Sequence, residues 1–480
     1  MPQHGVYTYE LPTSITAPVR GSAGLPVFIG TAPVHRGAGV SAVNTPIVCF
    51  SYAEAVERLG YSNDWETWTL CEAMFSQFRL FQVAPAIFIV VNDPRDATPA
   101  APTAFSIANG KIVIDNELIV LSSVTVQADG AAEPAVLNED YTTALSDGGV
   151  TITIVPGGAL SGNTSVLVGY DTVNTASVTS QDVIGGIDPA TGKRTGIELV
   201  EEVFPKARLV PGILAAPGWD EDNAVTQALI AKASRINGFF RAMAVVDIPE
   251  SAGPSYSDMP LWKETNGLSS EYCIPCWPRI TVGDMTFHLS TQLIGLMGRT
   301  DADNGDVPFA SPSNRALRMD GMKWRDKEIW LDHGQANYLN QNGIVTALNM
   351  IGGWKAWGNR TAIYPGNTDP KDMWIPVRRM FNWFQNELIL TYWQKLDLPI
   401  RSILIDNIVT SVNMRLDGLT SAGALNGGRV EWFAEENPLT NIIDGIVKFH
   451  VFMCPPTPAE TIEFWVEFDP SYFELMAASL

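Results

Sequence analysis

Two cysteines three positions apart form the pattern that comes nearest to a metal or redox motif. Cys273-Ile-Pro-Cys276 has the spacing of half a zinc site, but tetrahedral zinc needs a second pair of ligands, and the sequence offers none at a suitable distance. A redox-active pair lies at the start of a helix, whereas we predict a strand over 272–277. Buried, unreactive thiols are the interpretation we favour, with a metal or redox role as the alternative.

Clusters of acidic residues are the other candidates for chemistry. The stretch 301–306 has the composition of a calcium loop, but its glycine is at the wrong position and Pro312 stands where the bidentate glutamate is needed. We interpret it as a polar turn. Glu431, Glu435 and Glu436 are candidates for the paired carboxylates of a carbohydrate-active hydrolase, in a chain with 14 tryptophans. A solvated acidic loop is the competing interpretation.

Motifs and composition exclude several classes of function. The sequence has no phosphate-binding loop, no dinucleotide-binding motif and no serine-hydrolase or zinc-protease signature. Its net charge of −21 opposes direct binding to nucleic acid or to anionic membranes, both of which attract basic surfaces. The five scattered cysteines favour a reducing cytoplasm over a disulfide scaffold. We therefore predict no cofactor, no metal site, no catalytic residue and no direct contact with nucleic acid or membrane.

The elements around these residues predict a mixed α/β fold. With 480 residues, 46% of them apolar, the chain can form several domains with cores of their own. Buried strands and amphipathic helices alternate on both sides of residues 97–186. We predict strands over 27–30, 87–91, 209–216 and 242–247, a helix that begins at a capping box of Ser51 and Glu54, and helices over 66–81 and 223–236. Such alternation is typical of a mostly buried sheet covered by helices.

Residues 97–186 differ from their surroundings, because short alternating runs are separated by Gly, Asn and Asp and no helix is evident. We predict an all-β domain there, inserted between the two parts of an α/β domain, 20–96 and 187–364. A C-terminal α+β domain over 365–480 and an N-terminal linking arm over 1–19 complete the predicted multidomain fold.

Both ends of the chain have the pattern of strands without a nearby partner. The arm 1–19 is β-prone. In residues 461–468 the side chains at positions 462, 464, 466 and 468 are apolar, and two of the residues between them are glutamates. Because an unpaired strand edge is a template for pairing with another chain, such ends indicate a protein that polymerises. For the C-terminal end we nevertheless predict a partner within its own domain, in a β-hairpin of 446–453 with 460–468.

Two predicted helices of the C-terminal domain, near 374–396 and 403–419, depart from the acidic character of the chain. Basic residues outnumber acidic ones between Lys371 and Arg429. This excess is either the scattered charge of ordinary helix faces or a docking face for an acidic partner, and the residues leave both interpretations open.

Several short motifs, taken together and in this order, resemble contractile tail sheath proteins of bacteriophages and related injection particles. They are His4-Gly-Val-Tyr7, Ser311-Pro-Ser-Asn314, Trp357-Gly-Asn-Arg-Thr361, Ile375-Pro-Val-Arg-Arg379, Gly423-Ala-Leu-Asn-Gly427 and Pro458-Ala-Glu-Thr-Ile-Glu-Phe464. Each motif is weak alone, but the set runs from the first residues to the last. The β region 97–186 matches no part of the family pattern.

The resemblance implies a structural role and no enzymatic activity. Sheath subunits stack as hexameric rings around an inner tube and contract to drive that tube through a target cell envelope. The implied partners are other copies of the chain, the tail tube protein, and the baseplate and tail terminator proteins. The implied location is a virion tail assembled in the host bacterial cytoplasm. A hydrolase with a β-domain appendage and a non-contractile virion protein are the alternatives.

The resemblance also implies roles for individual residues. The N-terminal arm is a donor strand through Val6, Tyr7, Tyr9 and Leu11. The predicted hairpin is its receiving sheet, with Phe449, Val451, Ile462, Phe464, Val466 and Phe468 facing a core, so that only the chain beyond about Asp469, or the linker to it, would cross to a neighbour. Arg378, Arg379, Arg401 and Arg415 are candidates for facing the tube. Arg360 and Arg378 have a structural alternative, pairing with buried carboxylates or helix ends.

Overall fold

A computed structural model describes residues 23–473, apart from 132 and 147. Helices and strands follow one another through this part of the chain in several separate sheets, which confirms the predicted mixed α/β fold class. The N-terminal arm 1–19, with Val6, Tyr7, Tyr9 and Leu11, lies outside the described residues. Among the described helices, none combines the length and the apolar character needed to cross a membrane.

The first elements agree with the predicted strands and helices and add one strand over 47–49 that was not predicted. They are β1 (Pro26–Gly30), β2 (Ile47–Cys49), α1 (Tyr52–Leu59), α2 (Thr69–Met74) and β3 (Ala86–Val90), and a π-helical stretch over Phe75–Leu80 prolongs α2. The Oγ of Ser51 accepts a hydrogen bond from the backbone N–H of Glu54 at 3.2 Å. The first turn of α1 has free N–H groups, so this cap explains why the helix begins there.

A group of six strands follows: β4 (Ala97–Ser106), β5 (Lys111–Ile114), β6 (Thr125–Ala128), β7 (Tyr141–Ser146), β8 (Gly149–Ile154) and β9 (Ser165–Val173). They form two antiparallel three-stranded sheets, in the orders β4-β9-β6 and β5-β8-β7. Their alternating apolar side chains, such as Ile152 and Val168, pack into a separate core. The next helix, α3 (Ser180–Ile184), packs its Val183 into the α/β core instead. We therefore propose that the inserted unit ends near residue 174 and not at 186.

The chain then returns to α/β structure. The elements are β10 (Gly186–Ile187), β11 (Arg194–Thr195), α4 (Val200–Ala207), β12 (Ile213–Ala215), α5 (Asn223–Ser234), β13 (Met243–Asp247), α6 (Met259–Thr265), β14 (Cys273–Cys276), β15 (Arg279–Val282), β16 (Met285–Phe287), α7 (Leu289–Asp303), β17 (Gly321–Trp324), β18 (Lys327–Ile329), α8 (His333–Asn340), β19 (Thr346–Asn349) and β20 (Trp354–Trp357). Strands β15 to β18 form a second, antiparallel sheet of order β16-β15-β17-β18, and β19 pairs with β20.

A six-stranded sheet of order β14-β13-β12-β1-β3-β2 forms the centre of this unit. Its strands are parallel except for β2, which runs antiparallel to β3. Side chains along β1 alternate between two cores: Phe28 packs on one face, while Val27 and Ile29 pack on the other. Burial on both faces explains why the central strands are continuous apolar runs.

The C-terminal unit contains α9 (Pro370–Met373), α10 (Ile375–Tyr392), α11 (Ser402–Ser421), β21 (Gly427–Glu431), α12 (Leu439–Ile443) and β22 (His450–Cys454). Helices α10 and α11 contribute Phe384 and Leu416 to a core that also contains Val430 of β21. Strands β21 and β22 form an antiparallel two-stranded sheet, which we call the C-terminal sheet.

The predicted hairpin of 446–453 with 460–468 is wrong. Strand β22 pairs with β21, with Val430 opposite Val451. The Asn437 side chain accepts a hydrogen bond from the backbone N–H of Lys448 at 2.7 Å and donates one to its C=O at 2.9 Å. These bonds stabilise the loop that brings β22 alongside β21. Of the predicted receiving residues, Phe449 and Val451 pack on the core of the C-terminal unit, whereas Ile462, Phe464, Val466 and Phe468 lie outside the sheet and are exposed.

Candidate inter-subunit contact site

Residues 461–468 form an extended segment, which we call the terminal segment. None of the described residues pairs with it in a β-ladder. Its large apolar side chains lie almost entirely in solvent: Phe464 is 86% exposed, Trp465 91% and Val466 95%. Because contiguous exposed apolar side chains on an unpaired extended backbone are unfavourable in water, the segment has the properties of a strand that pairs with another chain.

The C-terminal sheet has the complementary properties. Val451 and Met453 on one face of β22 pack towards α10 and α11. On the other face, the rings of His450 and Phe452 stack with centroids 4.3 Å apart, and the guanidinium of Arg429 lies 4.1 Å from the Phe452 ring centroid. The edge of β21 is partly covered, because the Asn413 side chain bonds the backbone N–H and C=O of Val430 at 2.8 and 3.2 Å. The edge of β22 leaves backbone N–H and C=O groups unpaired among the described residues, and a sheet of two strands is marginally stable alone. It can therefore accept a further strand.

The terminal segment is attached to the α/β unit at its first end by Glu460. Arg360 donates two hydrogen bonds to the Glu460 carboxylate, through Nε to Oε1 at 3.2 Å and through Nη2 to Oε2. Asn340 at the end of α8 donates a third, from Nδ2 to Oε1 at 3.0 Å. Glu460 is therefore held by two separate elements of the α/β unit.

Arg378 and Arg379 do not face outwards, so the prediction that they face a tube is wrong. Arg379 is 2% exposed and pairs with Asp301 of α7, Nη1 lying 3.1 Å from Oδ1. Arg378 is 4% exposed and pairs with Asp372 at 3.1 Å, which agrees with its structural alternative. Both residues lie in the first turns of α10, which is covered by the α/β unit. Asp301, considered above as part of a calcium-like loop, is the partner of Arg379.

The other two predicted arginines have different surroundings. Arg415 donates to both carboxylate oxygens of Glu387, at 2.7 and 3.2 Å, and its guanidinium lies 5.4 Å from the Trp383 ring centroid. Arg401, the residue before α11, is exposed. Three of the basic residues counted between Lys371 and Arg429 are therefore paired with carboxylates of the same chain. Arg401 is the candidate of the four that the structure leaves fully exposed, and its contact with a tube stays a prediction.

No family model matches the chain. Among curated proteins, it is 27% identical to the tail sheath protein of Burkholderia phage BcepMu over 489 aligned residues, which span 98% of this chain and 97% of the relative. The chain is a homologue of tail sheath proteins. It is also 24% identical to the major tail sheath protein of Serratia phage KSP20, over 64% of this chain and 75% of that protein.

Solved structures show that this sheath homologue has the fold of sheath subunits. The helical sheath of the anti-feeding prophage in its contracted state superposes with a TM-score of 0.58, at 14% identity, over 98% of this chain and 100% of that chain. The sheath complex of the extracellular contractile injection system PVC, also contracted, gives a TM-score of 0.59 at 14% identity, over 98% and 99% of the two chains. The predicted resemblance is therefore confirmed.

The sheath homologue also contains a buried polar cluster that sequence reasoning missed. Glu72 accepts hydrogen bonds from the backbone N–H of His288 at 2.7 Å and from Thr291 Oγ1 at 2.6 Å, and its other oxygen lies 2.7 Å from His288 Nδ1. Beside them, Asp247 Oδ1 accepts from the backbone N–H of Ser290 at 3.1 Å. These residues are far apart in sequence and belong to no motif. The position of Asp247 at the carboxyl end of a parallel strand was the available signal.

The protonation equilibria of this cluster are displaced. Burial lowers the pKa of His288, but the charge and hydrogen bond of Glu72, together with the charge of Asp247, outweigh it and raise the pKa to about 9. Burial raises the pKa of Asp247 to about 6, and that of Asp220 well above its usual range, the latter with the help of the Asp247 charge. Within the described residues, no group of three or more His, Cys, Asp or Glu side chains is placed to hold a metal ion.

The remaining candidates for chemistry have ordinary surroundings. Cys273 and Cys276 lie in strand β14 and are buried, and burial raises the pKa of the Cys273 thiol to about 12, as expected for unreactive thiols. Glu431 pairs with Arg429 at 2.8 Å and Glu436 with His450 at 3.1 Å. The third glutamate of the acidic loop, at position 435, is exposed. The curated relatives are named as sheath proteins, in agreement with a structural role.

Proposed function

We propose that this chain is the structural subunit of a contractile tail sheath. It polymerises as stacked hexameric rings around an inner tube and contracts to drive the tube through a target cell envelope, without enzymatic activity. One observation carries the proposal: the exposed apolar terminal segment 461–468 and the open-edged C-terminal sheet occur in the same chain. A donor and an acceptor on one molecule link copies head to tail, which produces rings or helical polymers.

The linkage is strand addition. The terminal segment of one copy pairs with an edge of the C-terminal sheet in the next copy. Main-chain hydrogen bonds supply the affinity, and they form with many different side-chain sequences. Ile462, Phe464, Val466 and Phe468 then extend the apolar face formed by residues such as Val451. The N-terminal arm 1–19 is a second donor in this proposal, through Val6, Tyr7, Tyr9 and Leu11.

Contraction in this proposal needs no nucleotide. A sheath assembles in one packing and relaxes into another of lower free energy, because packed interfaces have discrete alternative arrangements. Strand ladders keep neighbouring copies joined during this change, and the connections at their ends bend. The tube contacts the C-terminal unit, where Arg401 and Arg415 are the candidates, and the ends of the sheath meet the baseplate and the tail terminator. The site of action is the virion tail, assembled in the host bacterial cytoplasm.

The decisive experiment removes the donor. A chain that ends at Glu460 should remain a folded monomer, because the side chains of 461–468 contribute almost nothing to its own core, and it should form no rings or tubes in negative-stain micrographs. A full-length variant with serine in place of Phe464 and Val466 should behave in the same way. The matched control replaces Glu463 and Glu467 by glutamine, which keeps the apolar face. Normal tubes from the shortened chain would rule out strand addition by the terminal segment.

A further inference from the structure

On the basis of the strand addition proposed above, we propose that the Arg360–Glu460 ion pair positions the terminal segment for entry into a second copy of this chain. Glu460 is the last residue before the segment and, among the residues that the structure describes, the last whose side chain bonds the α/β unit. Beyond it, the side-chain hydrogen bonds of the described chain are local: Trp465 to Glu463, and Ser471 to Asp469. The pair therefore marks the point where the attached chain ends and the free strand begins.

The arginine of this pair is itself held rigidly. Its guanidinium lies 3.8 Å from the ring centroid of Tyr364 and 4.8 Å from that of Trp374, and its backbone forms an isolated β-bridge with Trp374. The side chains of Arg360 and Glu460 are 13% and 25% exposed. A planar guanidinium in contact with two aromatic rings has little rotational freedom, so its two donors present a fixed geometry to the carboxylate.

The connection from the C-terminal sheet to this pair is stiff. Strand β22 ends at Cys454, and Pro455, Pro456 and Pro458 occupy three of the five positions between it and Glu460. Proline fixes one backbone dihedral and favours an extended chain. A stiff linker that is attached at both ends leaves the direction in which residue 461 departs nearly fixed with respect to both units.

A fixed departure lowers the entropy lost when the segment joins a neighbour. A flexible chain loses conformational entropy when it becomes ordered at an interface, and this loss weakens association. A segment that is already held in the right direction loses less entropy. The pair contributes little to folding in this proposal, because it holds a segment whose own side chains contribute almost nothing to the core. Its effect appears as the concentration at which copies polymerise.

The test measures polymerisation and monomer stability side by side. Glu460→Gln keeps the shape of the side chain but removes the charge, and it should raise the critical concentration for polymerisation about tenfold, the effect of one weakened charge-assisted bond. The melting temperature of the monomer should stay the same, while proteolysis within 461–468 should become faster. The matched control is Arg299→Gln, which breaks an exposed ion pair with Asp303 on α7 and should alter neither quantity.

Two further variants make the outcome decisive. Arg360→Lys keeps the charge but loses the two-pronged geometry, so it should also raise the critical concentration, and Arg360→Lys combined with Glu460→Gln should add little to either single change. An unchanged critical concentration in Glu460→Gln would overturn the positioning role. If the chain ending at Glu460 fails to assemble while Glu460→Gln assembles normally, strand addition stands and only this inference fails. Normal assembly of the shortened chain would remove the basis of both.

Discussion

Arg379 and Asp301 form a buried ion pair that joins the C-terminal unit to the α/β unit. The guanidinium belongs to α10 and the carboxylate to α7, and the two side chains are 2% and 3% exposed. Arg379 also donates to the backbone carbonyl of Ala23 at 3.3 Å. Arg379, the last residue of the Ile375–Arg379 motif, therefore stabilises the contact between the two units and does not belong to an external surface.

Removing one partner of this pair should destabilise the protein strongly. Asp301→Asn leaves the Arg379 charge buried without its counter-ion, which is expected to lower the free energy of unfolding by about 3 kcal/mol or more. Urea denaturation followed by tryptophan fluorescence measures the change. Asp303→Asn on the same helix breaks a pair that is half exposed and should cost less than about 1 kcal/mol. Equal losses in the two variants would contradict the assignment.

The polar cluster around His288 predicts that stability falls as the pH rises. The pKa of His288 is raised from 6.5 to about 9, so its stabilising contribution is complete below about 6.5 and is lost as the pH passes through 9. The raised pKa of Asp247, about 6, acts in the same direction but at lower pH, where its contribution is lost as the pH rises from about 4 to about 6. Two further charged groups lie near the ring: Glu221, 3.9 Å from His288 Nε2, and its partner Arg279, whose charge lowers the pKa of His288.

Thermal melting between pH 7 and 10 tests this prediction. The melting temperature of the intact chain should decrease across that range, and His288→Gln should have a lower but flatter profile, because the titrating group is gone. Glu72→Gln should also flatten the alkaline branch, since it removes the charge that raises the pKa of His288. A profile that rises towards pH 10 in the intact chain would show that His288 is not protonated in the folded state.

The two remaining candidates for tube contact, Arg401 and Arg415, should respond differently to charge reversal. Arg401→Glu changes an exposed residue, so the melting temperature should stay constant while co-sedimentation with assembled tubes weakens. Arg415→Glu places a carboxylate beside Glu387, which is 2% exposed, and should lower stability as well. If Arg401→Glu binds tubes as the unchanged chain does, the contact lies on another surface.

Cys454 provides a probe for strand addition at the C-terminal sheet. It lies at the end of β22 and is exposed, while the other four cysteines are buried. A thiol reagent should therefore modify one cysteine quickly in the monomer. Polymerisation should slow that reaction severalfold, because an added strand would cover this edge. The same rate in monomer and polymer would place the added strand elsewhere.

Local sequence patterns predicted most of the elements. The strands around Phe28 and Phe88, the capped helix after Ser51 and the two long helices of the C-terminal unit all follow from apolar periodicity and capping, which act within a few residues. The same patterns identified 461–468 as an apolar, strand-like segment, although they assigned it a partner within its own domain. The short motifs spread along the chain were sufficient to identify the family resemblance. Each motif is weak alone, but the whole set in the family's order is specific.

Pairing and burial were decided by the tertiary structure. Period-two alternation shows that a segment is a strand but not which strand it joins, so the hairpin of β22 with 460–468 was predicted where β22 in fact pairs with β21. The sequence around a basic residue in a helix does not reveal its ion-pair partner. Arg379 was therefore predicted to be a surface charge, because its partner Asp301 lies 78 positions away in the sequence. The cluster of His288, Glu72 and Asp247 is of the same kind. Local physics determined the elements of this chain, and contacts between residues distant in sequence determined which of its surfaces are left open for other copies.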